Sequence, residues 1–123
     1  PFDAILLDAP CTATGTSRRH PDVIHRIGLR QIAEMAELQA RLLDRAVEWV
    51  KPGGQLVYAV CSLEGAEGED RAANVALTPE PIRQDELPAG VVPDAAGHLR
   101  TDPGMLADVG GMDGFFVARW RKG

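Results

Sequence analysis

The sequence predicts an α/β fold built on a parallel strand–helix–strand unit, and three observations predict it. An apolar run, Phe2-Asp3-Ala4-Ile5-Leu6-Leu7, leads into Asp8-Ala9-Pro10-Cys11. A second run, Gln55-Leu56-Val57-Tyr58-Ala59-Val60, leads into Cys61-Ser62. Between them lies one long stretch with apolar residues at helical spacing. Two strands joined through a helix run parallel and bring their carboxyl ends to one edge of a sheet. Neighbouring strands lie roughly 4.8 Å apart. The chain's 2 cysteines and the Asp8 carboxylate are therefore expected to converge on a crevice, where open α/β sheets bind ligands.

Each element has its own warrant. Residues 2–7 read as a buried strand because the apolar run is nearly unbroken. Residues 10–28 hold Pro10, Gly15, Pro21 and Gly28 among threonines and serine, which is the chemistry of a long and functional loop. From Leu29 to Val50 the residues Ile32, Met35, Leu38, Leu42, Leu43, Ala46, Trp49 and Val50 follow a helical period. Lys51-Pro52-Gly53-Gly54 is expected to stop that helix, and residues 55–61 to form the second strand. Glu64 to Leu77 reads as a shorter acidic helix with Glu67 and Glu69 as solvated acids. Ile82–Leu87 reads as a weak strand, Gly110–Gly114 as a turn, and 115–120 as the last strand.

Bulk properties narrow the function classes. The chain has 123 residues, about one small domain, and 45 % hydrophobic residues, enough for a core. No apolar run approaches the roughly 20 residues of a membrane-spanning helix. Two cysteines at strand ends, without metal-ligand spacing or clustered histidines, fit a reducing, cytoplasmic setting and no metal. The formal net charge of -5 excludes an obviously basic nucleic-acid binder. Arg18, Arg19, His20, Arg26 and Arg30 nevertheless make one stretch locally basic and suited to phosphates. The chain opens almost inside a strand, so it is expected to be part of a longer protein.

The thiols carry the chemistry. A cysteine is nucleophilic as thiolate, and a strand end facing a crevice near a helix start can favour that form. Asp8 is placed to hydrogen-bond a ligand, and Pro10, lacking an N–H, offers its carbonyl as acceptor for an exocyclic amine. Plainer readings stand beside this one. A cysteine can be a small core hydrophobe, and two adjacent strand ends lie within range of a disulfide or thiol switch.

Asp8-Ala9-Pro10-Cys11-Thr12-Ala13-Thr14-Gly15, followed by Arg18-Arg19-His20-Pro21-Asp22, closely resembles a motif of the RsmB/Nop2/Sun family of RNA cytosine-C5 methyltransferases. Tyr58-Ala59-Val60-Cys61-Ser62-Leu63 with Glu67 and Glu69 resembles that family's second cysteine motif, and Gly110–Phe116 its carboxyl-terminal motif. The flavour is closest to bacterial enzymes acting on 16S ribosomal RNA. The resemblance implies that Cys61 attacks C6 of a flipped-out cytosine and that C5 takes a methyl group from S-adenosylmethionine. It implies that Cys11 assists release, that Asp8 holds the cytosine edge and lies near the methyl donor, and that Pro10, Arg18 and Arg19 contact substrate. Val60 departs from the family's usual threonine and Gly68 from its usual asparagine.

The same resemblance implies a partial Rossmann-like class I methyltransferase sheet. Its strands would be numbers 4-5-7-6 of seven, the last in the chain antiparallel, with flanking helices. Residues 1–123 are then the carboxyl-terminal portion of a catalytic domain, and the glycine-rich cofactor loop is expected upstream. Alone, the chain would be inactive and would bind S-adenosylmethionine weakly. The edge at 2–8 would be open to a second copy. The alternative is a non-catalytic RNA-binding or assembly module that keeps the fold.

Overall fold

The structure is a computed structural model and describes residues 2–12, 14, 28–87, 91–101 and 113–123. Strand β1 (Phe2–Asp8) leads by way of helix α1 (Leu29–Trp49) to strand β2 (Val50–Val60). A one-turn helix α2 (Glu69–Ala72) follows, then β3 (Thr78–Pro79), β4 (Leu99–Arg100) and β5 (Phe116–Arg121). The sheet order is β1-β2-β5-β3, with β4 also on β5. β1 and β2 pair parallel, and β5 runs antiparallel to β2, β3 and β4. This is the expected 4-5-7-6 order with its reversed strand, the short β3 and β4 standing where one sixth strand was expected.

Apolar periodicity made α1 and β2 readable, and the core lies between them. Leu43 and Ala46 of α1 meet Leu56, Tyr58 and Val60 of β2 and Phe116, Ala118 and Trp120 of β5. On β2 and β5 these residues alternate along the strand, so one sheet face is buried. The end of α1 is closed from a distance. Lys122 Nζ donates to the carbonyls of Val47 at 2.9 Å and Val50 at 3.0 Å, supplying both donors and positive charge to a helix carboxyl end.

Four expectations need correction. β1 is not a buried strand: Phe2 is 56 % and Leu6 70 % exposed. Ile5 and Leu7 pack on the core cluster, while among the described residues nothing covers the alternate side chains. Lys51-Pro52-Gly53-Gly54 does not merely stop α1, because it lies within β2. Phe2 sits opposite Val50 and Ala4 opposite Gln55, so the extra residues form a bulge in the ladder. Gly53 takes φ of 84° there, and a Cβ on Gly54 would meet the Asp3 carbonyl oxygen at 2.8 Å.

The acidic helix shrinks to the single turn of α2, because the chain before it bends to send Glu67 inward. The weak strand at Ile82–Leu87 is absent, and Gln84–Glu86 is a 3₁₀ turn. Arg119 of β5 holds this segment with a side chain instead of a ladder. Its guanidinium donates to both Glu86 carboxylate oxygens, at 2.8 and 2.9 Å, and to the Pro81 carbonyl at 2.8 Å. The Glu86 carboxyl is held down to about 2, chiefly by these Arg119 hydrogen bonds.

Leu56 is 0 % exposed at the centre of this core. Leu56→Ala is expected to lower unfolding free energy by about 2–5 kcal/mol, and Leu6→Ala by no more than about 0.5 kcal/mol. Urea denaturation of the two variants checks the difference.

Candidate active site

The parallel pairing of β1 and β2 sets the site. Asp8 lies opposite Ala59, and the Ala9 N–H extends the ladder to the Ala59 carbonyl at 3.0 Å. Cys61 follows two residues after Ala59 and Cys11 three after Asp8, so both leave the sheet on one edge. Their Sγ atoms stand 3.5 Å apart, within hydrogen-bonding range for thiols, and both residues are half-buried. Asp8 is exposed at the same edge.

Around the thiols the chain is held by a carboxylate. Glu67 is 0 % exposed. One of its oxygens accepts from the Thr12 N–H at 3.0 Å and from Gln39 Nε2 at 2.8 Å. The other accepts from Thr12 Oγ1 at 2.5 Å and from Ser62 Oγ at 2.7 Å. Thr12 follows Cys11, Ser62 follows Cys61, and Gln39 belongs to α1. The Glu67 carbonyl also accepts from Tyr58 Oη at 2.6 Å. Burial first, then the Glu67 charge, pushes the Tyr58 phenol far above its ordinary value, so it stays a donor.

A second tie joins the same loops. The Leu63 N–H donates to Thr14 Oγ1 at 2.9 Å, and the Thr14 and Ser62 hydroxyls lie 3.4 Å apart. Arg100 of β4 donates to the Ser62 carbonyl and to both oxygens of Glu69, at 2.6 and 3.1 Å. Its guanidinium lies 5.2 Å from the Phe116 ring centre. Partial burial is the largest single influence on the Glu69 carboxyl and raises it, but the Arg100 hydrogen bonds, a backbone hydrogen bond and the nearby Arg100 and His98 charges together hold the group below the ordinary carboxylate value.

The sequence-predicted residues divide clearly. Cys11, Cys61 and Asp8 come to one edge. Pro10 is there too, but its carbonyl already accepts from Gln39 Nε2 at 2.9 Å, leaving one lone pair for a ligand. Arg18 and Arg19 lie outside the described residues. Glu67 is corrected from a solvated acid to the most connected buried group of the site. Its place in the second cysteine motif was the available signal. Gln39 was missed altogether, although it interrupts the apolar spacing between Met35 and Leu43, where a polar residue needs partners.

The two departures also have a place. Val60 is 0 % exposed opposite Phe116, a position that packs an apolar side chain. Gly68 has no room for more: a Cβ would stand 2.8 Å from Phe116 Cγ and 2.7 Å from Arg100 Nη2. Two hollows of about 540 and 520 Å³ flank α1, and neither is lined by a cysteine. The sequence-predicted thiols thus lie at the open edge, outside these two hollows.

Residues 1–121 match the family described as 16S rRNA methyltransferase RsmB/F. The chain belongs to the RsmB/F methyltransferase family. It is 41 % identical over 121 residues to ribosomal RNA small subunit methyltransferase B of Shewanella oneidensis, covering 98 % of the chain and 27 % of that relative. The Klebsiella pneumoniae protein of the same name is 46 % identical over 122 residues, covering 98 % of the chain and 26 % of the relative. The chain thus spans about a quarter of the length of these RsmB relatives.

Solved structures agree on the fold. A methyltransferase homolog protein from Pyrococcus horikoshii superposes with TM-score 0.70 at 35 % identity, over 98 % of this chain and 39 % of that one. NSun6 from Pyrococcus horikoshii, solved with SFG, gives TM-score 0.75 at 29 % identity, over 96 % of this chain and 29 % of that one.

A depressed carboxyl stabilises the fold above its unfolded value, and that contribution is lost as pH falls through the folded one. Glu69 is such a group, so Glu69→Gln is expected to destabilise the chain near neutrality. The variant should also lose less stability than the parent between neutral and strongly acidic pH. Urea unfolding at pH 7 and pH 3 measures both.

Proposed function

We propose that this chain carries the reacting thiols of an RNA cytosine-C5 methyltransferase that acts on small-subunit ribosomal RNA. The observation that carries the reading is the 3.5 Å approach of Cys11 and Cys61 beside the exposed Asp8. Membership of the RsmB/F family and the names of the relatives support the substrate class. A binding or assembly module would need neither thiol.

In this reading the Cys61 thiolate adds to C6 of a cytosine turned out of its stack. The new Sγ–C6 bond pushes electron density to C5, splitting a hard substitution into two easier steps. C5 would then take the methyl carbon as that carbon's bond to the donor's sulfonium sulfur breaks, the sulfur keeping the electron pair as a thioether. The C5 proton departs to a base, and the Sγ–C6 bond breaks with its pair returning to Cys61. Cys11, at contact distance from Cys61, assists that release. Asp8 accepts from the cytosine edge, and the remaining Pro10 lone pair accepts from the cytosine amine.

The methyl donor is S-adenosylmethionine, which supplies an electrophilic methyl group when bound. Among the described residues Asp8 fits it, as an exposed carboxylate at the carboxyl end of a parallel strand. Arg18 and Arg19 serve the RNA phosphates. The β1 edge, which no other described strand pairs, is the surface through which two copies of this chain associate, since an open strand edge offers unpaired backbone groups. Among the described residues no helix is long and apolar enough to cross a membrane.

Methyl transfer to small-subunit ribosomal RNA by the whole protein tests the reaction. Cys61→Ala is expected to abolish transfer. Cys11→Ala should accumulate a protein–RNA species that survives denaturing electrophoresis. Full activity in Cys61→Ala would refute the assignment. For association, light scattering of the 123-residue chain at high concentration is expected to show dimers, and Leu6→Lys to return monomers.

A further inference from the structure

We propose that Glu67 is a positioning residue for the two thiols, supported from α1 by Gln39. Glu67 would hold the Cys11–Cys61 separation by bonding the residue next to each cysteine at once. This rests on the reading of both thiols as partners in one reaction, and adds to it what keeps them in register.

The parallel ladder alone does not fix the sulfurs. Its register ends at the Asp8–Ala59 pair and the Ala9 hydrogen bond, before either cysteine. Beyond that point the two chains need another tie. An ionised carboxylate accepts only, through about four lone-pair sites. Glu67 meets four donors: two on Thr12, one on Ser62 and one on Gln39. Among the described residues no cation pairs with it, so these donors are what offset its burial.

The Gln39 amide is oriented by the same logic. Its two N–H bonds go to the Pro10 carbonyl and to Glu67, at 2.9 and 2.8 Å. Its Oε1 is buried with no hydrogen-bond partner. A leucine there would fill similar space without that unpaired oxygen. What the amide contributes is the hold on Pro10 and Glu67, one on each side of the first cysteine loop.

The test measures how readily Cys11 and Cys61 pair in the whole protein. Equilibration with a small cyclic disulfide oxidises the two thiols to one disulfide and reduces the reagent to its dithiol. Peptide mapping then gives their effective concentration. Thr12→Val removes one donor and is expected to lower that concentration about tenfold, the effect of losing one hydrogen bond to a charged group. Thr12→Ser should restore it, and Glu67→Gln and Gln39→Leu should lower it. A purely structural role would reduce the unfolding temperature and leave pairing in the folded protein unchanged.

Unchanged pairing in folded Thr12→Val, or a failure of Thr12→Ser to restore it, would overturn the proposal. If Glu67→Gln does not fold, the Thr12 variants decide. Pairing that falls while methyl transfer does not would leave the positioning role standing and remove the reaction proposed above. The two failures are thus distinguishable.

Discussion

A buried carboxylate is the constraint on which the edge that carries both thiols depends. Glu67 is fully enclosed, and an enclosed charge without partners costs several kcal/mol. Its four donors come from three separate parts of the chain: the loop after β1, the loop after β2, and the middle of α1. A hydrogen bond to a charged group contributes about 1.5–3 kcal/mol. Satisfying this one group therefore requires those three parts to be in place together. Folding of the loops and placement of the thiols become one event.

The division of labour follows. Parallel pairing of β1 and β2 decides that Cys11 and Cys61 leave the sheet on the same side. Glu67, Thr14 and Arg100 decide how the two loops lie once they have left. The Arg100 clasp joins Ser62 to Glu69 and rests on Phe116 of β5, so the second cysteine loop is also tied to the far half of the sheet. Gly68 belongs to this contact: the space its missing side chain leaves is occupied by the ring and guanidinium.

Much of the fold was legible because burial repeats along the chain. The alternation from Leu56 to Val60 and from Phe116 to Trp120 marks one buried face, and the long period around Leu43 marks α1. The topology then put both thiols at one edge. What escaped the sequence was whatever depends on contacts between distant segments. Glu67 stands in a stretch with the acids Glu64, Glu69 and Asp70 and looks solvated until Thr12 and Gln39 are brought to it. Ile82–Leu87 has strand-like ends, but its Glu86 is claimed by Arg119. β1 carries the apolar residues of a buried strand, yet its burial depends on what stands beside it. Lys51–Gly54 reads as a helix stop, and only the register of β1 against β2 reveals the bulge.

The central claim is that Cys61 is the nucleophile of a thiol pair assembled at this edge. The most direct measurement is mass-spectrometric mapping of the peptide that remains bonded to a cytosine nucleotide after denaturation of Cys11→Ala with its RNA. The account predicts the nucleotide on Cys61. A bond at any other residue, or no bonded peptide at all, would contradict it.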